Sequence, residues 1–150
     1  MTGSGFKKLF TLVLAVALVA PALLVGCGGS SPEGAVKAYL KAWQELDWEA
    51  LKASVAPQRR ELTKDQEELT KIEFEQVKIS MDGLKMQTVY SEEDKKKAAV
   101  MLTEGKITYT VNILGEEKTE TKDISKLSKE ERTYATIEVD GVWYVDKDLP

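Results

Sequence analysis

The chain of 150 residues contains no histidine and only one cysteine, Cys27. Histidine is the side chain that most often exchanges protons near neutral pH, and it is also the commonest metal ligand. A single cysteine forms no internal disulfide and supplies no cluster of thiolates for zinc or an iron–sulfur centre. We therefore expect no disulfide framework, no metal site and no cofactor.

Basic residues are also outnumbered by acidic residues. The chain carries 21 basic and 25 acidic residues, a net charge of −4. Removal of residues 1–26 takes away Lys7 and Lys8 and leaves 19 basic against 25 acidic residues, a net charge of −6. Phosphate backbones and anionic lipids both repel such a domain. The charge balance argues against nucleic acid as a partner, and any membrane contact must arise from something other than a basic domain.

Residues 1–27 have the layout of an export signal, in which a short basic stretch precedes a long apolar run. The run extends from Leu9 to Val25 and ends at Gly26-Cys27. An uncleaved transmembrane helix is the competing interpretation, because the run approaches the roughly 18 to 20 apolar residues that span a bilayer. Pro21 and the residues around Cys27 favour cleavage.

The segment Leu24-Val25-Gly26-Cys27 resembles the lipobox of bacterial lipoproteins. The resemblance implies that the Cys27 thiol carries diacylglycerol and that the chain is cut just before it. The following Gly28-Gly29-Ser30-Ser31 predicts a flexible tether. We expect an extracytoplasmic protein that lipid on Cys27 anchors to a bacterial membrane. The expected division of the chain is a signal peptide over 1–26, the lipidated cysteine and tether over 27–31, and one domain over 32–150.

Capping signals predict three helices at the start of this domain. The side chains that can accept hydrogen bonds from each first turn are Ser31, Asp47 and Thr63. In the third helix, Glu67 is one turn from Lys71 and can pair with it. The first helix has an apolar face with three- and four-residue spacing, formed by Val36, Tyr39, Leu40 and Trp43. That face requires a sheet or another helix to pack against.

From about Phe74 onward the pattern changes to the alternation that is typical of strands. Asp82-Gly83 interrupts the first alternating run. The interruption at Glu104-Gly105 is either a bulge or a tight turn. After Gly115 a polar segment predicts an edge strand that is followed by a loop or a helical turn.

The clearest hairpin is predicted at Asp140-Gly141, between two alternating runs. A two-residue turn at this dipeptide places Val139 opposite Val142. One face of the hairpin then carries Ile137, Val139, Val142 and Tyr144, and the other carries Tyr134, Trp143 and Val145. Because both faces are partly apolar, the second face is expected to meet another strand, a ligand or a second copy of the protein.

The order of these elements and two aromatic segments resemble a known family. The segments are Asp47-Trp48-Glu49-Ala50-Leu51 and Gly141-Val142-Trp143-Tyr144-Val145-Asp146. Residues 32 to 148 resemble the small bacterial lipoproteins of the nuclear transport factor 2-like superfamily, also called the cystatin-like cone. The resemblance implies an α+β fold with N-terminal helices packed on a curved antiparallel sheet, and a pocket at the open end of the cone. Because the superfamily includes isomerases, dehydratases, transport adaptors and accessory domains, it carries over no catalytic residue.

The aromatic side chains that can line such a pocket, or an interface, are Tyr39, Trp43, Tyr109 and Trp143. Core packing is the alternative role for each of them, since aromatic residues at helical or strand spacing are usually buried. Asp146 and Asp148 near the C-terminus lack the further ligands of a metal site, so they predict an exposed tail.

The leading functional hypothesis is a membrane-anchored, non-catalytic module that binds a small-molecule ligand or a protein partner outside the cytoplasm. The first alternative is a cone-type enzyme that uses Asp or Tyr for acid–base chemistry on a small organic molecule. The second is a structural component of the cell envelope, in which the second face of the terminal hairpin binds a partner or forms a homodimer.

The anchor hypothesis predicts that the mature protein begins at Cys27 and carries acyl chains on that residue. Mass spectrometry of the protein extracted from membranes should find a diacylglyceryl-modified N-terminal cysteine. An unmodified Cys27, or a chain that still begins at Met1, would contradict the prediction.

Overall fold

The computed structural model describes residues 28–150, so Leu24, Val25, Gly26 and Cys27 lie outside the described residues. The described chain is an α+β domain in which three helices pack against a curled antiparallel sheet. The helices are α1 (Pro32–Glu45), α2 (Trp48–Ser54) and α3 (Lys64–Glu75). The strands are β1 (Val77–Tyr90), β2 (Lys97–Ile113), β3 (Glu116–Asp123), β4 (Thr133–Val139) and β5 (Val142–Val145). Short 3-10 helices lie at Pro57–Arg59 and Ile124–Lys126.

All three predicted helix starts are confirmed by their side-chain caps. Ser31 Oγ accepts a hydrogen bond of 3.1 Å from the N–H of Gly34. Asp47 Oδ1 accepts one of 2.9 Å from the N–H of Ala50. Thr63 and its third-position glutamine form the reciprocal capping box. Local hydrogen-bonding chemistry therefore fixes where each helix begins.

The third helix differs from its sequence prediction in its main ion pair. Glu67 accepts hydrogen bonds from Lys52 Nζ at 2.6 Å and from Trp48 Nε1 at 3.2 Å, both on α2. These bonds hold the pKa of Glu67 below its ordinary value, with the Lys52 bond as the largest cause. The predicted pair with Lys71 is thus replaced by a contact that ties α3 to α2, which the spacing within one helix does not reveal.

Phe74 belongs to the end of α3 and not to the first strand, which begins later at Val77. Its ring is 1% exposed and lies against Trp43 and Trp48, at ring-centre distances of 4.7 and 5.7 Å. The change from helical to alternating pattern therefore falls after Phe74. This aromatic is the only buried residue of α3, and it attaches the end of that helix to the core.

The sheet is organised around β2, which pairs with three other strands. β1 pairs antiparallel with β2 along nearly the whole length of β2. On the other side of β2, β4 pairs with the first part and β3 pairs with the second. β5 then pairs with β4, which gives the order β1-β2-β4-β5. The polar segment after Gly115 forms β3 followed by a helical turn, as its sequence predicted.

Glu104-Gly105 lies inside β2, so it is not a turn between strands. The register between β1 and β2 shifts on both sides of Lys85, opposite this dipeptide. Gly83 in β1 has a φ of 61° and Gly105 has a φ of 120°, values that favour glycine. The two predicted interruptions, at Asp82-Gly83 and Glu104-Gly105, are therefore one bulged region of a continuous strand pair.

The terminal hairpin is confirmed in its turn and in its register. Val139 pairs with Val142, and the two turn residues have φ values of 52° and 81°. These positive angles are those of the primed two-residue turns that match strand twist. Trp143 and Val145 face inward and are buried, whereas Val142 and Tyr144 remain partly exposed.

The core lies between α1 and the sheet. α1 crosses the sheet and contacts β1, β2, β4 and β5. The completely or almost completely buried side chains of this core include Val36, Leu51, Phe74, Val100, Leu102, Ile124 and Val145. The apolar face predicted for the first helix is the surface that covers the sheet.

Two residues of α3 test this arrangement as a matched pair. Phe74→Ala should lower the free energy of unfolding by about 3–5 kcal/mol, since it leaves a cavity beside two tryptophans. Ile72→Ala, at a side chain that is 54% exposed, should change it by less than about 0.5 kcal/mol. Urea unfolding of both variants measures the difference, and similar losses in the two would show that α3 does not pack as described.

Candidate functional site

Three of the four aromatic candidates, Tyr39, Trp43 and Tyr109, belong to the main core or pack against it. The buried ring of Tyr39 has its centre 5.9 Å from that of Tyr134. Trp43 packs on Phe74, while Tyr109 is partly exposed. Packing therefore accounts for the position of Tyr39 and Trp43, whereas Tyr109 lies at the margin of the core.

Trp143 lies apart from these three, in a small cluster with Ala35 and Ala98. Its ring meets the edge of Tyr90 at a centre distance of 5.9 Å and an angle of 77°. Only 6% of Trp143 is exposed, so a partner protein or ligand reaches little of the indole. The structure thus separates Trp143 from the other candidates.

Tyr39, Tyr109 and Tyr134 form a group of tyrosines whose pKa values are all raised. Burial raises the pKa of Tyr39 and of Tyr109 above the ordinary value of 10.0. Burial also raises the pKa of Tyr134 strongly, and the nearby hydroxyls of Tyr39 and Tyr109 raise it further. All three phenols stay neutral near pH 7 and can act there as hydrogen-bond donors and acceptors.

The bulged region of β1 forms the wall of a groove along α1. A Cβ atom on Gly105 would lie 2.8 Å from both the Asp82 carbonyl oxygen and Leu84 Cδ2. Only glycine at position 105 therefore leaves room for the Leu84 side chain. Together with Met81 and Met86, Leu84 then packs partly exposed at the margin of the core, on the side of α1.

This groove, which we call the α1–β1 groove, has a cavity volume of about 320 Å³. Its floor is apolar and its rim is polar. The floor consists of Leu40, Met81, Leu84 and Met86, and the rim consists of Lys37, Lys41 and Gln44 from successive turns of α1. An apolar surface with a few polar groups on one side is typical of a small-molecule site.

The charge at the rim is positive in a domain that is negative as a whole. Lys37 and Lys41 lie one turn apart, and two like charges at this spacing disfavour a helix by roughly 0.2–0.5 kcal/mol. Lys41 Nζ is 3.7 Å from Glu45, in an exposed contact. Within residues 28–150, Lys37 forms no ion pair. An anionic group at the rim would relieve this repulsion.

No local sequence pattern indicates this groove, because the residues that form it are far apart along the chain. Lys37 and Lys41 read as the solvent face of a helix, and the methionines read as ordinary strand residues. Met81 and Leu84 fall on either side of the interruption at Asp82-Gly83, which is the one local signal that β1 departs from a regular strand here.

Asp146 and Asp148 hold an arginine. Arg59 donates to Asp146 Oδ1 at 2.9 Å and to Asp148 Oδ1 at 3.1 Å, and both carboxylates raise the pKa of its guanidinium. The pair thus ties the C-terminal residues to the 3-10 helix at Pro57–Arg59. No three histidine, cysteine or acidic side chains in the described part of the chain come together as metal ligands.

Comparison with protein families, with curated proteins and with solved structures finds no match to this chain. Within residues 28–150, none of the helices combines the length and the hydropathy that crossing a bilayer requires.

The tyrosine group predicts how stability depends on pH in the alkaline range. Because the pKa of Tyr134 is raised on folding, its contribution is complete below about pH 10, the unfolded value, and is lost as the pH rises further. Tyr134→Phe should therefore lose stability less steeply than the wild type above pH 10, by at most about 1.4 kcal/mol per pH unit. Urea unfolding from pH 8 to 11 measures both slopes, and equal slopes would contradict the burial of this phenol.

Proposed function

We propose that this protein is a lipid-anchored, extracytoplasmic binding module that holds an anionic amphiphile in the α1–β1 groove without acting on it chemically. The observation that carries the proposal is the combination of an apolar floor with a lysine rim. The ligand class follows from this combination, since the floor suits an aliphatic chain and the rim suits an acidic head.

Methionine contributes two of the four floor residues, Met81 and Met86. Its unbranched, polarizable side chain adapts to ligands of different shape, and surfaces that bind variable apolar partners use it often. Leu40 and Leu84 complete the floor. A groove of this composition favours a flexible hydrocarbon chain over a rigid polar molecule.

The lysines at the rim would orient such a ligand in the groove. A lysine lays its methylene stem along apolar surface while its ammonium group remains in water. Lys37 and Lys41 are therefore suited to cover the chain of an amphiphile and to meet its carboxylate, phosphate or sulfate at the mouth of the groove. The domain as a whole is negatively charged, so an anionic ligand would be attracted to this local positive rim in preference to the rest of the surface.

The pKa shifts favour binding over acid–base catalysis. The shifted tyrosines, Tyr39, Tyr109 and Tyr134, all move upward from 10.0. The shifted carboxyl groups, Glu67, Asp123 and Glu131, all move downward and are held by hydrogen bonds. Efficient proton transfer needs a pKa near the working pH. These groups move away from neutrality, and this supports the binding hypothesis over the cone-type enzyme.

The export and anchoring part of the proposal comes from Leu24-Val25-Gly26-Cys27 and the apolar run before it. We place the domain among the nuclear transport factor 2-like cones. The order of its elements and the helix that crosses a curled sheet support this assignment.

Calorimetry with octanoate and octanol tests the proposed ligand class. The mature chain keeps all the core residues described above, so it can be used without lipid as the Cys27→Ser variant. Octanoate should bind saturably and more tightly than octanol. In the double variant Lys37→Gln/Lys41→Gln its dissociation constant should rise roughly tenfold, the equivalent of about 1.4 kcal/mol, toward that of octanol.

Two controls make the result specific. Lys95→Gln/Lys96→Gln removes the same charge from the exposed turn before β2 and should leave octanoate binding unchanged. Met86→Asp should abolish binding of both probes by placing a carboxylate on the floor. Equal affinity for octanoate and octanol, or equal effects of the two lysine pairs, would refute the proposal.

A further inference from the structure

Gly28 and Gly29, which the sequence suggested as part of a flexible tether, lie along the outer edge of β5. Gly29 and Trp143 exchange two backbone hydrogen bonds of 2.9 Å, in an antiparallel bridge. This contact covers an edge that β4 leaves free. The chain is therefore already attached to the sheet before α1 begins.

Both glycines are required because their neighbours pack closely against them. Their role here is therefore close packing, not the flexibility of a tether. A Cβ atom on Gly28 would collide with the side chain of Val142 and lie 2.9 Å from Tyr144 Cε1. One on Gly29 would collide with the backbone of Ala35. Any larger residue at either position would force the chain away from β5.

Gly28 lies on the outer face of the β4–β5 hairpin. This face is opposite the one that buries Trp143, and its side chains are Ile137, Val139, Val142 and Tyr144, all partly exposed. Two basic groups border it. Lys97 pairs in register with Ile137, and the Arg60 guanidinium carbon lies 5.2 Å from the ring centre of Tyr144. Two acidic residues are nearby: Asp94 Oδ2 lies 3.9 Å from Lys97 Nζ, and Asp140 occupies the hairpin turn.

The distance between the anchor and this face is set by the chain. Adjacent Cα atoms are about 3.8 Å apart, so Cys27 lies within one residue of the contact between Gly28 and Val142. A free five-residue tether would instead allow a root-mean-square separation of about 12 Å. Acyl chains on Cys27 would thus enter the bilayer beside the outer face of the hairpin.

We propose that the outer face of the β4–β5 hairpin lies against the lipid headgroups and fixes the orientation of the domain on the membrane. The inference rests on the proposed lipid anchor at Cys27. Val139, Val142 and Tyr144 contact the headgroup region, where aromatic rings with a polar end are favoured. The α1–β1 groove lies on β1, which is at the other end of the strand order from β5.

Fluorescence quenching by doxyl-labelled lipid tests this orientation on the natural lipoprotein. The protein is reconstituted into phosphatidylethanolamine–phosphatidylglycerol vesicles after labelling at one introduced cysteine, because acylated Cys27 has no free thiol. Val139→Cys places the label on the hairpin face. Leu114→Cys places it at a fully exposed turn after β2, about 50 Å of strand away from Lys97.

The label at position 139 should be quenched about twofold more than the label at position 114. Insertion of ten Gly/Ser residues between Cys27 and Gly28 keeps the docked glycines and adds about 17 Å of reach. If the short link between Cys27 and Gly28 holds the hairpin face on the membrane, the insertion should reduce the difference in quenching between positions 139 and 114. Equal quenching at 139 and 114 in the uninserted protein would overturn the proposal.

The same samples separate this inference from the anchor itself. Acylated Cys27 gives one label per chain and a protein that floats with the vesicles. Two labels per chain and a protein that does not float would show that the anchor is absent, and both proposals would then fail. One label, flotation and equal quenching would leave the anchor in place and refute only the orientation.

Discussion

The fold depends on the hydrogen bonding of β2, a 17-residue strand that pairs with three other strands. β1 pairs along one side, and β4 and β3 divide the other side between them. Because the inner face of this strand contributes Val100, Leu102 and Ile107 to the core, α1 must cross it to exclude water. The β1–β2 pair is bulged near its middle, and the bulged part of β1 forms one wall of the α1–β1 groove. The candidate site is thus a consequence of how the longest strand is paired.

Sequence reasoning succeeded where the determinants are local. The caps at Ser31, Asp47 and Thr63 and the turn at Asp140-Gly141 depend on residues a few positions apart, and all four were predicted correctly. It failed where partners come from distant parts of the chain. Glu67 meets α2 because of tertiary packing, and Gly29 meets β5 across more than a hundred residues. The groove forms where α1 contacts the bulged part of β1, and no sequence periodicity predicts that contact.

The proposed anchor and the proposed groove fit one arrangement. Gly28 and Gly29 join the N-terminal end of the domain to β5, one edge of the sheet, while Met81 and Met86 face α1 at the other edge. In this proposed arrangement the anchor is joined to one edge of the sheet, and the ligand site lies on the strand at the other edge. This arrangement suits a module that takes up an amphiphile from the extracytoplasmic space. In the proposed role, the lysine rim would hold an acidic head group in place, and this role needs no proton transfer.

The central claim is that the α1–β1 groove holds an anionic amphiphile. Native mass spectrometry of the protein purified in a neutral detergent from its own host's membranes tests it most directly. We expect the wild type to carry an additional acidic amphiphile that gentle activation releases, and we expect Met86→Asp to lack it. If the wild type and this variant show the same bare mass, or retain the same bound molecule, the claim is wrong.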